Sequence, residues 1–288
     1  MNLDSLKYIL TKKDYNELKY ACISVVVLIV IIYMNAFENN NYTCKNILVN
    51  TYLYVLVSLV LFHIITMLLV NAELHIKLFS LLQSFNIYII LITLIAIIIG
   101  LIFIFTMSHT NILASHIILL ILISLFSLLI SVTYTRLKKQ NLYNTVFYTT
   151  LLFISVLLII FYFNQDIIKQ YLTDEYYFIV FILLFVVFLV EIIYILFMGY
   201  SKNSTILISA IVLVIFGYFL LADTQKILDI TEDNCKIALK NCNKNMYDPK
   251  CNIDDYPSYP QKSFDIFHDI IVIFRRIAEI YLATNSDE

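Results

Sequence analysis

With 288 residues, 61% of them hydrophobic and only 14% charged, the chain falls well short of the roughly 25% charged content of soluble domains and reads as lipid-exposed. A formal net charge of -2 without a dense basic patch excludes nucleic acid as a partner. The three prolines, Pro249, Pro257 and Pro260, share one late segment, and the three glycines are Gly100, Gly199 and Gly217, so most of the chain lacks soluble turn signals.

Residues 1–17 form a polar leading segment, with Lys7, Lys12 and Lys13, and do not read as a cleavable signal peptide. The first apolar stretch is too long for one and is expected to act as its own insertion signal. A membrane-crossing helix needs about 20 apolar residues to traverse a hydrocarbon core of about 30 Å. Seven stretches qualify, near residues 18–37, 49–71, 82–107, 111–133, 143–163, 176–198 and 204–222. Isolated ten-residue alternations, the mark of a membrane barrel, are absent. The expected fold is an all-α polytopic membrane helix bundle of seven to eight transmembrane helices, occupying residues 18–283 and followed by a short tail, 284–288.

Basic residues near the spans set orientation. Lys7, Lys12, Lys13 and Lys19 lead the chain, Lys77 lies in the second loop, Arg136, Lys138 and Lys139 in the fourth and Lys202 in the sixth, whereas the first and fifth loops offer only Lys45 and Lys169. A cytoplasmic N-terminus follows. If all seven stretches cross, the loop 224–262 is on the far side with Cys235, Cys242 and Cys251, and so is Cys44 in the first loop. Four of five cysteines then share a face compatible with oxidation, allowing two disulfides in three connectivities, while Cys22 sits inside the first span. Of two glycosylation sequons, Asn41-Tyr42-Thr43 and Asn203-Ser204-Thr205, only the first faces that side. An eighth segment near 264–283 carries Asp265, Asp269, Arg275, Arg276 and Glu279. It must be buried among the other helices, re-enter the membrane or rest at the interface.

Ionisable groups at membrane depth cost a few kcal/mol or more, so each is a functional candidate. They are His63, His116, Glu191, Asp223 and Asp269. The two histidines are expected as neutral imidazoles bonded to neighbouring helices. Glu191, His63 and Asp265 are candidates for a pore-lining or polar network.

The two aspartates come with context. Phe219-Leu220-Leu221-Ala222-Asp223-Thr224-Gln225 resembles the Phe-x-x-x-Asp-Thr-Gln signature of the transmembrane Bax-inhibitor-motif family, in its lifeguard-like branch. Asp269-Ile270-Ile271-Val272-Ile273-Phe274 resembles the Asp-Ile-Ile-x-Ile-Phe element of that family's last helix, and Thr133-Tyr134-Thr135-Arg136 is similar to its Gln-Thr-Arg element. The resemblance covers roughly residues 5–283. It implies a multi-pass protein of the endoplasmic reticulum or Golgi, or else of the plasma membrane, that leaks calcium and suppresses cell death. It makes calcium the permeant ion, held transiently by Asp223 and Asp269, with no cofactor and no enzymatic activity. Membrane regulators of apoptosis are implied partners beside the bilayer itself. The family's leak members are thought to close on a proton shared by the two aspartates. Two carboxyls in contact at low dielectric cannot both ionise cheaply, so losing that proton creates repulsion and opens a path lined by oxygen ligands.

The chain departs from its relatives in having seven spans before the last aspartate helix where they have six, with the surplus within 143–199. Either one apparent span does not cross, or the pH that the pair senses is lumenal. Two other readings stand beside the channel. A non-conducting scaffold for regulators of apoptosis or calcium release would use the aspartates structurally. An intramembrane hydrolase is the third, against which Leu221 and Ala222 replace the Gly-x-Gly-Asp element of aspartyl proteases, and His63, His75, His109, His116 and His268 are scattered with only His268-Asp269 suggestive of a metal ligand set.

Overall fold

Inside lipid a chain must satisfy its backbone groups within itself, and apolar runs of this length do so as helices. The computed structural model describes residues 12–38, 41–71, 111–198, 201–244 and 249–285. Among them are α1 (Lys12–Ala36), a hairpin of β1 (Phe37–Glu38) and β2 (Asn41–Tyr42), α2 (Ile47–Asn71), α3 (Ile112–Lys139), α4 (Tyr143–Phe163), α5 (Gln165–Lys169), α6 (Asp174–Met198), α7 (Lys202–Leu228), α8 (Glu232–Cys242) and α9 (Tyr259–Thr284). Six of these helices, α1, α2, α3, α4, α6 and α7, are long and apolar enough to cross a membrane. They coincide with six of the seven expected spans. The seventh, at 82–107, lies outside the described residues, as do His75, Lys77, Gly100, His109 and Gly199.

Local chemistry sets the ends. α3 stops in a Schellman motif: Asn141 adopts φ 56° where glycine is usual, Leu142 N–H donates to Leu137 O at 2.9 Å and Asn141 N–H to Lys138 O at 3.3 Å. Ser201 caps α7 by accepting from Ser204 N–H. The segment expected as a loop over 224–262 is largely helical. α7 runs on to Leu228, and Thr231 caps α8, whose first turn holds Glu232 and Asp233 and whose last holds Lys240, in keeping with the helix dipole.

The chain divides into two units. The first comprises residues up to Val132 together with Ile230–Phe264. There Leu18 of α1 packs with Ile64 and Met67 of α2. Tyr42, 1% exposed, meets Tyr259 edge-on at 5.4 Å, and Tyr259 stacks on Tyr54 at 5.8 Å and donates to Thr43 O. Burial pushes the Tyr256 hydroxyl up to about 12, keeping it neutral as it donates to Asn243 Oδ1 at 3.0 Å. Disulfides join Cys44 to Cys235 and Cys242 to Cys251, one of the three connectivities the sequence allowed.

The Cys44–Cys235 bond has a topological consequence. It puts the first loop and the segment after α7 on one side of the membrane, which requires an even number of crossings between them. The helices α2, α3, α4, α6 and α7, long and apolar enough to cross, account for five among the described residues, and the sequence expectation at 82–107, which lies outside them, would make six. Membrane-impermeant thiol reagents applied to oriented vesicles after reduction should therefore label Cys44 and Cys235 from the same side. Labelling from opposite sides would show that the span count is wrong by one.

The second unit comprises Thr133–Asp229 and Asp265–Glu288. α6 runs antiparallel to α7, with Tyr177 against Phe219 at 5.1 Å near one end and Tyr194 Oη 3.1 Å from Ser201 Oγ at the other. The α5 turn sits at the C-terminal end of α7, where Lys169 pairs with Asp229 and Tyr218 Oη donates to Tyr171 O at 3.0 Å. α9 ends where α4 and α7 begin: Tyr281 Oη is 3.2 Å from Thr149 Oγ1, and Lys202 Nζ donates to Thr284 O at 3.3 Å. Of the three placements left open for the eighth segment, it takes the buried one, with Ile266, Phe267, Ile273 and Ala278 fully enclosed. By contrast, no residue of the α6 span window is fully buried, so much of that helix faces lipid while Tyr177 and Glu191 turn to α7 and α9.

At Gly217 α7 passes close to α4. A Cβ there would stand 3.2 Å from Leu157 Cδ1 and 3.7 Å from Phe153 Cζ. Small residues serve such crossings in membranes. Gly217→Ala, which asks only the tip of Leu157 to shift, should cost under about 1 kcal/mol, and Gly217→Val about 1–3 kcal/mol. Unfolding of the purified proteins in detergent checks both.

Candidate functional site

Asp265, Asp269, Val272, Arg276 and Glu279 recur at helical i+3 and i+4 intervals and so form one stripe along α9. The stripe meets α6 and α7 in two charged layers.

The first layer gathers Asp223 of α7 and Asp269 of α9. Asp223 Oδ1 lies 3.4 Å from Lys226 Nζ, one turn on, and its side chain is 13% exposed. Lys226 in turn sits 3.8 Å above the Tyr177 ring. Asp269 is 3% exposed, its Oδ1 is 3.5 Å from His268 Nδ1, and its Oδ2 is buried with no hydrogen-bond donor. The two carboxyls lie within electrostatic range of one another, and the Tyr177 hydroxyl within range of both and of Asp265. His268 packs on Phe216 at 5.6 Å. A buried carboxyl oxygen without a donor is suited to carrying a proton or receiving a cation.

The second layer centres on Arg276. Its Nη1 and Nη2 donate in a fork to Glu191 Oε1 and Oε2 at 3.0 and 2.9 Å, and Nη1 also to Glu279 Oε2 at 2.8 Å. Glu279 further accepts from Arg275 Nε at 2.9 Å and Ser209 Oγ at 3.0 Å. A cavity of about 320 Å³ adjoins this layer, with Glu191, Val212, Phe216, Val272 and Arg276 in its wall. Phe216 and Val272 contribute apolar surface there, and Phe216 also touches His268 of the first layer.

A family model described as inhibitor of apoptosis-promoting Bax1 matches residues 44–287, which include every residue of both layers. The chain belongs to the Bax inhibitor-1 family. No curated protein and no solved structure matches it. Membership and the apolar helices make it an integral multi-pass membrane protein.

Within this Bax inhibitor-1 protein the sequence-read candidates separate. Asp223, Asp265 and Asp269 come together, and Glu191 joins the stripe one layer away through Arg276. His63 belongs to the first unit, where its Nε2 lies 3.0 Å from Glu17 Oε1. His116 also stays there, with Nδ1 2.6 Å from Ile112 O and Nε2 2.8 Å from the Tyr54 hydroxyl. Among the described residues no three His, Cys, Asp or Glu side chains converge as a metal site. Sequence reasoning missed Lys226 and Tyr177, which no local spacing ties to Asp269, and the partnership of Arg276 with Glu191, 85 positions apart. The i+3, i+4 recurrence along α9 was the available signal for the second layer.

Proposed function

We propose that this family member is a pH-sensitive calcium leak of endoplasmic reticulum or Golgi membranes with a role in suppressing cell death. The observation that carries the reading is the convergence of Asp223 and Asp269 from two helices, with the buried Asp269 Oδ2 lacking a donor. A proton held between the carboxyls keeps α7 and α9 together. As pH rises and the proton leaves, two anions face each other at low dielectric and repel, so leak increases with pH. Lys226, His268, Tyr177 and Asp265 also face the pair and set its field. Calcium acts as cargo that passes over oxygen ligands, with no resident ion.

The end of α7 that bears Asp223 leads directly into the segment bonded to Cys44. The pH that governs the leak is therefore that of the disulfide-bearing side. Purified protein in liposomes loaded with a calcium indicator, with inner and outer pH set independently, tests the reading. Calcium entry should rise with pH on that side alone. Vesicles that stay tight at every pH on both sides would instead favour the scaffold.

A further inference from the structure

Resting on the conduction reading, we infer that Arg276 is a tethered cation that forms a second, inner charge gate with Glu191 and Glu279. The geometry is that of a positive charge held across the route the α9 stripe defines. Cations leaving the Asp223 and Asp269 layer along that stripe meet Phe216 and Val272 and then the guanidinium. Two carboxylates and the Ser209 hydroxyl converge around that guanidinium and Glu279, over contacts of 2.8–3.0 Å. Arg276 and its two glutamates carry a net charge of one negative, and Arg275, 54% exposed, supplies the balancing charge from the rim.

A guanidinium can leave such a site only if it has somewhere to go. The cavity of about 320 Å³ beside it is open on the side of α6 and lined by Phe181, Phe185, Phe188 and Phe216, aromatic side chains of the kind that attract a guanidinium. Arg276 Nε has no hydrogen-bond partner and so adds no restraint against that swing. With the side chain in the cavity, Glu191 and Glu279 present carboxylate oxygens to the route, the ligand type that calcium prefers. With it in the fork, the route is closed by like charge. Two gates in series then have separate controls, the proton at the first layer and the Arg276 conformation at the second.

The gate predicts effects of opposite sign from two substitutions within one salt bridge, which a purely structural role does not. Arg276→Gln removes the blocking charge and bares Glu191, while Glu279 keeps Arg275 and Ser209. Calcium flux into liposomes should rise at least about tenfold at matched protein insertion, equivalent to about 1.4 kcal/mol. Glu191→Gln takes one carboxylate from the route while Glu279 still holds the guanidinium across it at 2.8 Å, and flux should fall by about tenfold with a lower calcium-to-chloride permeability ratio. Arg276→Lys keeps the charge but cannot make the fork, so its flux should lie between the wild type and Arg276→Gln, a graded order that loss of folding alone does not give. A conducting wild type with flux unchanged or equally lowered in both Arg276→Gln and Glu191→Gln overturns the gate and leaves the channel reading standing. Silence of all four proteins at equal insertion overturns both.

Discussion

Calcium flux through the Asp223→Asn protein should no longer respond to pH, and the Asp269→Asn protein should behave the same way. Each substitution removes one ionisable member of the pair but keeps a neutral side chain of nearly equal shape that hydrogen-bonds the other. The repulsion that separates α7 from α9 then cannot develop. A leak governed by one proton changes by at most about tenfold per pH unit, so a wild-type slope approaching that value should flatten to near zero in either variant. Asp265→Asn is the control. Asp265 lies one turn before Asp269 on the same stripe and within range of the same tyrosine, so its loss should shift the response without abolishing it. A purely structural pair predicts lower stability in the two variants with the wild-type slope retained. Equal pH dependence in both Asp223→Asn and Asp269→Asn would remove the proposed mechanism.

Breaking the Arg276–Glu191 fork should produce the largest loss of stability available from a single polar substitution in the second unit. The side chains are 12% and 22% exposed and share two near-parallel hydrogen bonds, so neither charge has water to fall back on. Arg276→Leu leaves the Glu191 carboxylate without its partner and should cost about 3–5 kcal/mol, and Glu191→Leu, after which the guanidinium keeps Glu279, should cost less. The double variant should lose less than the sum of the two, because no charge is left unpaired: Glu279 keeps Arg275 and Ser209. Chemical denaturation of the four proteins in one detergent, read as a double-mutant cycle, measures the coupling. Additive losses would show that the pair is solvated and contributes little.

Asp223, Asp269, Glu191 and Arg276 mark where sequence reading reaches and where it stops. The bilayer imposes a length and a polarity on every crossing segment, so spans such as 143–163 and 176–198 are legible from composition alone and emerge as α4 and α6. The family was legible in the local signatures around Asp223 and Asp269, because each is a run of neighbours in one helix. Even the polar stripe of α9 is a local periodicity, readable once the segment is taken as a helix. What the sequence by itself determined, then, was an all-α membrane bundle of the Bax inhibitor-1 family with two informative aspartates. Tertiary structure alone decided which cysteines pair, and through Cys44 and Cys235 that an even number of crossings separates them. It alone chose the buried course of α9 alongside α7, joined Glu191 to Arg276 across 85 positions and brought Lys226 and Tyr177 to the carboxyls. The physical reason is one of range. Spacing along a helix fixes which residues share a face, but the partner of that face is set by how helices distant in sequence pack. A charge at membrane depth reveals that it needs a partner without revealing which one.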